Sequence, residues 1–265
     1  MTAPGNGRAP TDRILRIIRV VGNVLIILIV VAWSGRGVKV DIQRLGRGLG
    51  TIGRIIGAMF PPSTEHFGRA VAAMVESIQI AIVGTTVAAV LTLPVSFLAA
   101  KNLGAPNAVV WLVKQFLNAI RAFPELVFGI FFVASYGPGP LAGVMAIGVN
   151  SVGMLGKLNA EIVENIDRGP IEALEAAGAN RIEVFVYAIL PQVIPEFVAT
   201  ALYRFELNLR NATVLGLVGA GGIGVILLQS LQFRRWPVVG MALLIVVVAV
   251  TVVDYSSAYL RKRIN

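Results

Sequence analysis

Cysteine is absent from this chain, which excludes disulfides and thiolate metal sites while leaving the compartment open. Charge is scarce: 14% of residues are charged, against about a quarter in an average soluble domain. Acidic residues are scarcest, 14 against 23 Lys and Arg, for a net charge of +9. No G-x-x-x-x-G-K-[ST] stretch occurs, so the chain itself should not hydrolyse ATP or hold a nucleotide cofactor. A metal-bearing cluster of carboxylates is also missing. The nearest group, Glu161, Glu164 and Asp167, offers two carboxylates on one helical face and no further acidic partner. That argues against a membrane transferase acting on phospholipid-type groups, and no metal ligands are assigned. What fills the chain instead is apolar, at 56% of residues.

Those apolar residues come in long runs. About 20 of them as a helix cross a bilayer core of roughly 30 Å, and a soluble domain could not bury six such runs. Spans are expected near Ile14–Trp33, Val71–Ala100, Val109–Tyr136, Leu141–Leu158, Ile194–Leu217 and Val238–Leu260. The third must start near Val109 and pass through Pro124 as a kink, because Phe123 to Tyr136 alone is too short to cross. The fold expected is therefore an all-α polytopic membrane helical bundle of about six transmembrane helices.

The basic residues fit membrane flanks rather than nucleic acid, since they cluster beside apolar runs without forming a basic domain. Arg8, Arg13, Arg16 and Arg19 precede the first run, and Trp33-Ser34-Gly35-Arg36 reads as an interfacial anchor after a retained span rather than a cleavage site. Arg261-Lys262-Arg263 closes the last run. Both termini are thus expected in the cytoplasm, which requires an even number of spans.

Residues 34–70 would then lie outside despite Arg36, Lys39, Arg44, Arg47, Arg54 and Arg69. Ile42, Leu45, Leu49, Ile52, Ile56 and Met59 recur there at helical spacing with arginines between them, the pattern of an amphipathic helix lying on the lipid surface, ended by Pro61-Pro62. His66 reads as a solvated loop residue. Residues 1–70 form one expected unit and 71–265 a second, with a hydrophilic loop over 159–192.

That loop has helical composition broken at Gly169-Pro170 and Gly178, which predicts two short helices about a glycine turn. From Glu172 to Pro191 it reads EALEAAGANRIEVFVYAILP. This resembles the "EAA" loop of ABC importer permeases. Glu172, Ala173, Gly178, Leu190 and Pro191 fall in register, while Leu174 and Ala188 replace the expected alanine and isoleucine. Ala119 to Glu125 and Leu202 to Arg210, followed by Ala212 to Gly224, are similar to the phosphonate-transporter branch of that family.

The resemblance implies the type I importer permease fold, with phosphonate or a related phosphorus oxyanion as cargo. Methionine, betaine or phosphate importers are the alternatives. It implies that Glu172, Ala173, Leu174, Ala176, Ala177 and Gly178 dock into a separate ATPase subunit. It further implies two ATPase subunits, an extracytoplasmic binding protein and a second permease copy. A passive channel would lack such a loop.

Gly219-Ala-Gly-Gly-Ile-Gly224 matches G-x-G-x-x-G literally, but it follows a membrane span and no acidic residue stands about 20 positions on. Gly219, Gly221, Gly222 and Gly224 read instead as a helix break packed among spans, or as a flexible element near a gate.

Charges inside spans are costly and tend to face a cavity or a partner. Arg204, Asn208 and Asn211 share one helical face and are candidates for lining the translocation pathway, as is the stripe Lys114, Asn118 and Arg121. Glu206 and Arg210, four apart, are expected to form a structural ion pair, and Arg121 could pair with Glu125. Glu76 and Asp254 read as interfacial.

Overall fold

The computed structural model describes residues 10–38 and 42–264; Arg8, read above as a basic flank, and Lys39, of the basic segment 34–70, lie outside them. The chain divides into two compact units, Met1–Ile56 and Gly57–Asn265. The sequence-based boundary at 70 falls later than this. Residues 57–70 join the second unit because the Ser63 amide donates to the Pro237 carbonyl at 3.0 Å. The Met59 backbone also lies against Gly240, where a Cβ would meet it at 2.5 Å.

The first unit holds α1 (Pro10–Gly37) and most of α2 (Ile42–Ala58). From Ile18 to Gly37 α1 is long and apolar enough to span, and the valines, isoleucines and leucines between Ile18 and Val31 are exposed. α2 is the helix expected from the 3.6-residue pattern, and it stops at Ala58, before the prolines. Leu49, Ile52 and Ile56 are exposed on one side. Arg47 and Arg54 lie on the other, each tied back one turn to Gln43 O and Thr51 Oγ1.

The second unit is built around α3 (Phe67–Ala99) and α6 (Pro140–Glu164). The buried face of α3 runs through Ala70, Ser77, Ala81, Gly84, Ala88, Thr92, Ser96 and Ala99, and that of α6 through Gly143, Ala146, Gly148, Ser151, Gly153 and Gly156. Lipid tails are as apolar as leucine, so helix association depends on close van der Waals contact, which small residues permit. At Gly84 a Cβ would stand 2.7 Å from Ile147 Cγ2. Around this pair, Ile80, Phe132, Ile147 and Leu215 form one core cluster and Met74, Leu209, Ile223 and Ala242 another.

The third span differs from the expectation. It is two helices, α4 (Asn107–Ala122) and α5 (Glu125–Tyr136), bent by 82° rather than kinked. Phe123 is extended (φ −89°, ψ 130°), as a residue before proline prefers, and Pro124 has no N–H with which to continue α4. Alone, 12 and 16 residues reach only about 18 and 24 Å at 1.5 Å per residue. Among the described residues five helices can span a membrane, or six with this broken pair counted as one.

The loop over 159–192 contains α7 (Gly169–Ala176) and α8 (Arg181–Val184). Pro191 falls in the first turn of the helix that follows the loop, with no break in the chain's helical path before it. A π-turn at Phe185–Ile189 carries α8 directly into α9 (Leu190–Leu215), with the Leu190 amide donating five residues back to the Phe185 carbonyl. That wider turn accommodates the missing N–H of Pro191. Beyond a short 3-10 turn come α10 (Ile223–Gln232), too short to cross, and α11 (Trp236–Ile264).

Candidate functional site

The exposed loop is organised by interactions a few residues apart. Pro170 sits in the first turn of α7, where its missing N–H costs nothing. At the other end the Ala179 amide donates to the Leu174 carbonyl and the Gly178 amide to the Glu175 carbonyl, the paired bonds of a Schellman cap. The cap needs a left-handed residue, and Gly178 has φ +83° with open space where a Cβ would lie. Two residues on, Asn180 Oδ1 accepts from the amides of Ile182 and Glu183, and Glu183 Oε2 accepts from the Asn180 amide at 2.7 Å. This capping box starts α8. Sequence reasoning missed it, although Asn-x-x-Glu was its signal.

The caps hold Glu172, Ala173, Ala176, Ala177 and Gly178 exposed, with Leu174 half-buried. Ile182 and Tyr187, 75% and 71% exposed, add apolar surface next to them. The loop is anchored at its base. Gln192 accepts from the Asp167 amide at 2.9 Å and donates to the Asp167 and Ala188 carbonyls. Lys114 of α4 meets Glu164, the last residue of α6, at 2.8 Å, and the Lys101 amide donates to the same carboxylate.

The two charged stripes lie in different places. Lys114 belongs to this loop anchor. Asn118 shares a small cavity of about 150 Å³ with Lys114, Lys157 and Glu161. Arg121 is exposed, and its side chain lies where a Cβ at Gly153 would touch it. Among the described residues no hydrogen bond or ion pair joins this stripe to Arg204.

Arg204, 5% exposed, is enclosed by protein. Its guanidinium donates to Glu125 Oε2 at 3.2 Å, Asn150 Oδ1 at 2.5 Å, Ser151 Oγ at 3.0 Å and Met154 Sδ at 3.1 Å. Asn208, fully buried, donates to Thr85 Oγ1 and Ser151 Oγ, and Asn211 donates to Glu125 Oε2 at 2.7 Å. The shared face of Arg204, Asn208 and Asn211 thus becomes one network, joined through Ser151 and Glu125. It pins α9 to α3, α5 and α6. Glu125 pairs with Arg204 and not with Arg121. The α4–α5 break makes this possible by placing Glu125 in the first turn of α5.

Glu206 and Arg210 do not pair with each other. Arg210 meets Asp254 at 2.5 Å and Glu206 meets Arg261 at 2.9 Å, both across to α11. An i,i+4 spacing permits an intrahelical pair, but opposite charges on the antiparallel neighbour take each partner. Asp254 is therefore an interhelical partner rather than a bare interfacial residue.

The glycine segment is a packed break. Gly219, Gly221 and Gly222 have φ of +88°, +84° and +71°. The Gly222 amide donates to Glu76 Oε1 at 3.1 Å and the Ile223 amide to Ser77 Oγ at 2.9 Å, so α3 caps the N-terminus of α10. Gly224 packs so closely on α9 that a Cβ would fall 2.1 Å from the Thr213 carbonyl oxygen. Glu76, read above as interfacial, does this capping.

A helical bundle with five or six candidate spans, close-packed on small residues and carrying an exposed, doubly capped helical loop, defines a polytopic membrane protein. Residues 92–265 match the binding-protein-dependent transport system inner membrane component family, and the chain belongs to that family. It is a transport component and not an enzyme, and permeases of this family work with an ATPase and a binding protein. The chain is 42% identical over 222 residues to the phosphite transport system permease protein PtxC of Stutzerimonas stutzeri, covering 84% of this chain and 81% of that protein. It is 36% identical to the phosphate-import permease protein PhnE of Mycolicibacterium smegmatis, over 78% of this chain and 39% of PhnE. These relatives place it in the phosphite, phosphonate and phosphate permease group of ABC importers. The bundle also superposes on a chain of the inward-facing MetNI methionine ABC transporter with a TM-score of 0.67, at 21% identity, covering 77% of this chain and 99% of that one. That likeness bears on the fold alone.

Proposed function

We propose that this chain carries phosphonate, or the related phosphite, inward across the bacterial plasma membrane. It would do so as one of two identical permease copies driven by a separate ATPase dimer and fed by an extracytoplasmic binding protein. The observation that carries the reading is the loop over 169–184, whose two caps hold an exposed small-residue helix in fixed orientation. A helix so held transmits force as a rigid body. Through Gln192–Asp167 and Lys114–Glu164 the push reaches α9, α6 and α4.

In this reading both termini and the 159–192 loop are cytoplasmic. The Arg204 network lies beside the path and sets how α5, α6 and α9 move around it. The glycine break over 219–224 anchors α10 at the gate. Similarity to permeases named for phosphite and phosphate import favours a phosphorus oxyanion over methionine or betaine.

Uptake tests this directly. The permease, expressed with its ATPase and binding protein in cells lacking other phosphorus importers, should accumulate phosphite or methylphosphonate with saturation and in an ATP-dependent manner. Accumulation of methionine or betaine in place of both would overturn the substrate assignment.

A further inference from the structure

Besides the loop and the buried network, the bundle contains a cavity of about 310 Å³ without a carboxylate in its lining. His66, Arg69, Gln229, Ser230, Phe233 and Arg235 line it together with two aliphatic side chains. The lining comes from three places: the start of α3, the end of α10, and the turn leading into α11.

That turn is fixed. Arg234 has φ +52°, and the amides of Phe233, Arg234 and Arg235 donate to the carbonyls of Gln229, Leu231 and Ser230. The partial negative charge at the end of α10 is thereby taken up by backbone N–H groups. Arg235 holds its guanidinium 5.7 Å over the Phe233 ring. His66 Nδ1 lies 3.2 Å from Ser63 Oγ, and among the described residues its other ring nitrogen has no protein partner.

Some cations of the bundle are paired, and others, Arg121 and Arg234 among them, meet no carboxylate among the described residues. Arg204, Arg210, Arg261, Lys114 and Lys157 each meet a carboxylate. Among the described residues Arg69 and Arg235 meet none, yet they line the same cavity. Ser230, only 5% exposed, adds a buried hydroxyl to the lining. Guanidinium groups offer paired donors that fit tetrahedral oxyanions in a bidentate manner.

We propose that this cavity binds a phosphorus oxyanion at the outer mouth of the permease, either a free phosphate-type solute or the phosphate of a lipid headgroup. The outward placement rests on the topology given under Proposed function.

The test uses the complete permease–ATPase complex in nanodiscs. Trp236, next to Arg235, is the only tryptophan of the permease in a Trp33→Phe, Trp111→Phe background, and the matched complex that also carries Trp236→Phe supplies the emission to subtract. In neutral phosphatidylcholine discs, inorganic phosphate and methylphosphonate should change its emission saturably. Arg69→Gln and Arg235→Gln should each weaken that response about tenfold, while Gln229→Ala should weaken it less. In discs containing phosphatidylglycerol, a response already present and insensitive to added phosphate would identify the headgroup as the occupant, and a response still driven by added phosphate would identify the free solute. Either result supports the site.

Two results would overturn it. One is an emission that neither phosphate nor phosphatidylglycerol changes. The other is a pair of folded arginine variants that lose capture of the binding protein while phosphate binding stays unchanged. Phosphate binding by a complex that transports no phosphorus solute would keep the site and sink the transport reading. Transport without any phosphate or lipid response would sink the site alone.

Discussion

Arg204 can sit inside a bundle of spans only because a carboxylate and three further acceptors meet it there. Breaking a buried pair leaves the other charge uncompensated at a cost of about 3–5 kcal/mol, whereas removing both charges together is often close to neutral. Arg204→Gln should therefore lower the yield and melting temperature of the detergent-extracted permease. Arg204→Gln combined with Glu125→Gln should recover most of the loss, measured by size-exclusion after heating. A double variant no more stable than the single one would show that Glu125 is not the balancing charge. Helical periodicity placed Arg204, Asn208 and Asn211 on one face. It could not supply Glu125, Asn150, Ser151 or Thr85, which lie 53 to 123 residues away in the chain. The misread Glu206–Arg210 pair has the same origin, since a sequence displays the near partner and conceals the one across the helix interface.

The loop shows the reverse case, an element whose determinants all lie within a few residues. Alanine at Gly178 would meet no atom but would have to hold φ +83°, which costs an L-residue roughly 1–2 kcal/mol. Gly178→Ala should leave the melting temperature of the bundle unchanged while reducing ATPase stimulation and uptake together, and Gly178→Asn, which tolerates this conformation better, should do so less. A Gly178→Ala complex with full coupling would remove the loop from the transmission path.

The glycine break is strained differently, because at Gly224 the obstacle is backbone. A Cβ 2.1 Å from the Thr213 oxygen cannot be relieved by turning a side chain, so Gly224→Ala should abolish folded protein, seen as loss of the monodisperse peak. Recovery of a normal peak would mean that α9 and α10 can separate there. The break itself was readable from its glycines. The 82° bend between α4 and α5 was not, because a proline in a long apolar run signals a kink and a full break equally.

At the scale of the whole chain, the apolar runs located the long helices but not the break between α4 and α5, and told little about which side each end faces. The absence of cysteine, which first served only to exclude disulfides, gives the means to find out: every introduced cysteine is unique. With both termini cytoplasmic, Thr64→Cys, just ahead of α3, should react with a membrane-impermeant maleimide in intact spheroplasts. Ala177→Cys, in the exposed loop, should react only after permeabilisation, and bound ATPase should protect it. The same reagent decides the span count. Ala108 lies at the start of α4 and Tyr136 at the end of α5, both exposed. If the broken pair crosses as a single span, Tyr136→Cys should label from outside and Ala108→Cys only from inside. Labelling of both from one side would make the pair re-entrant, leave five spans, and set the two termini on opposite faces of the membrane.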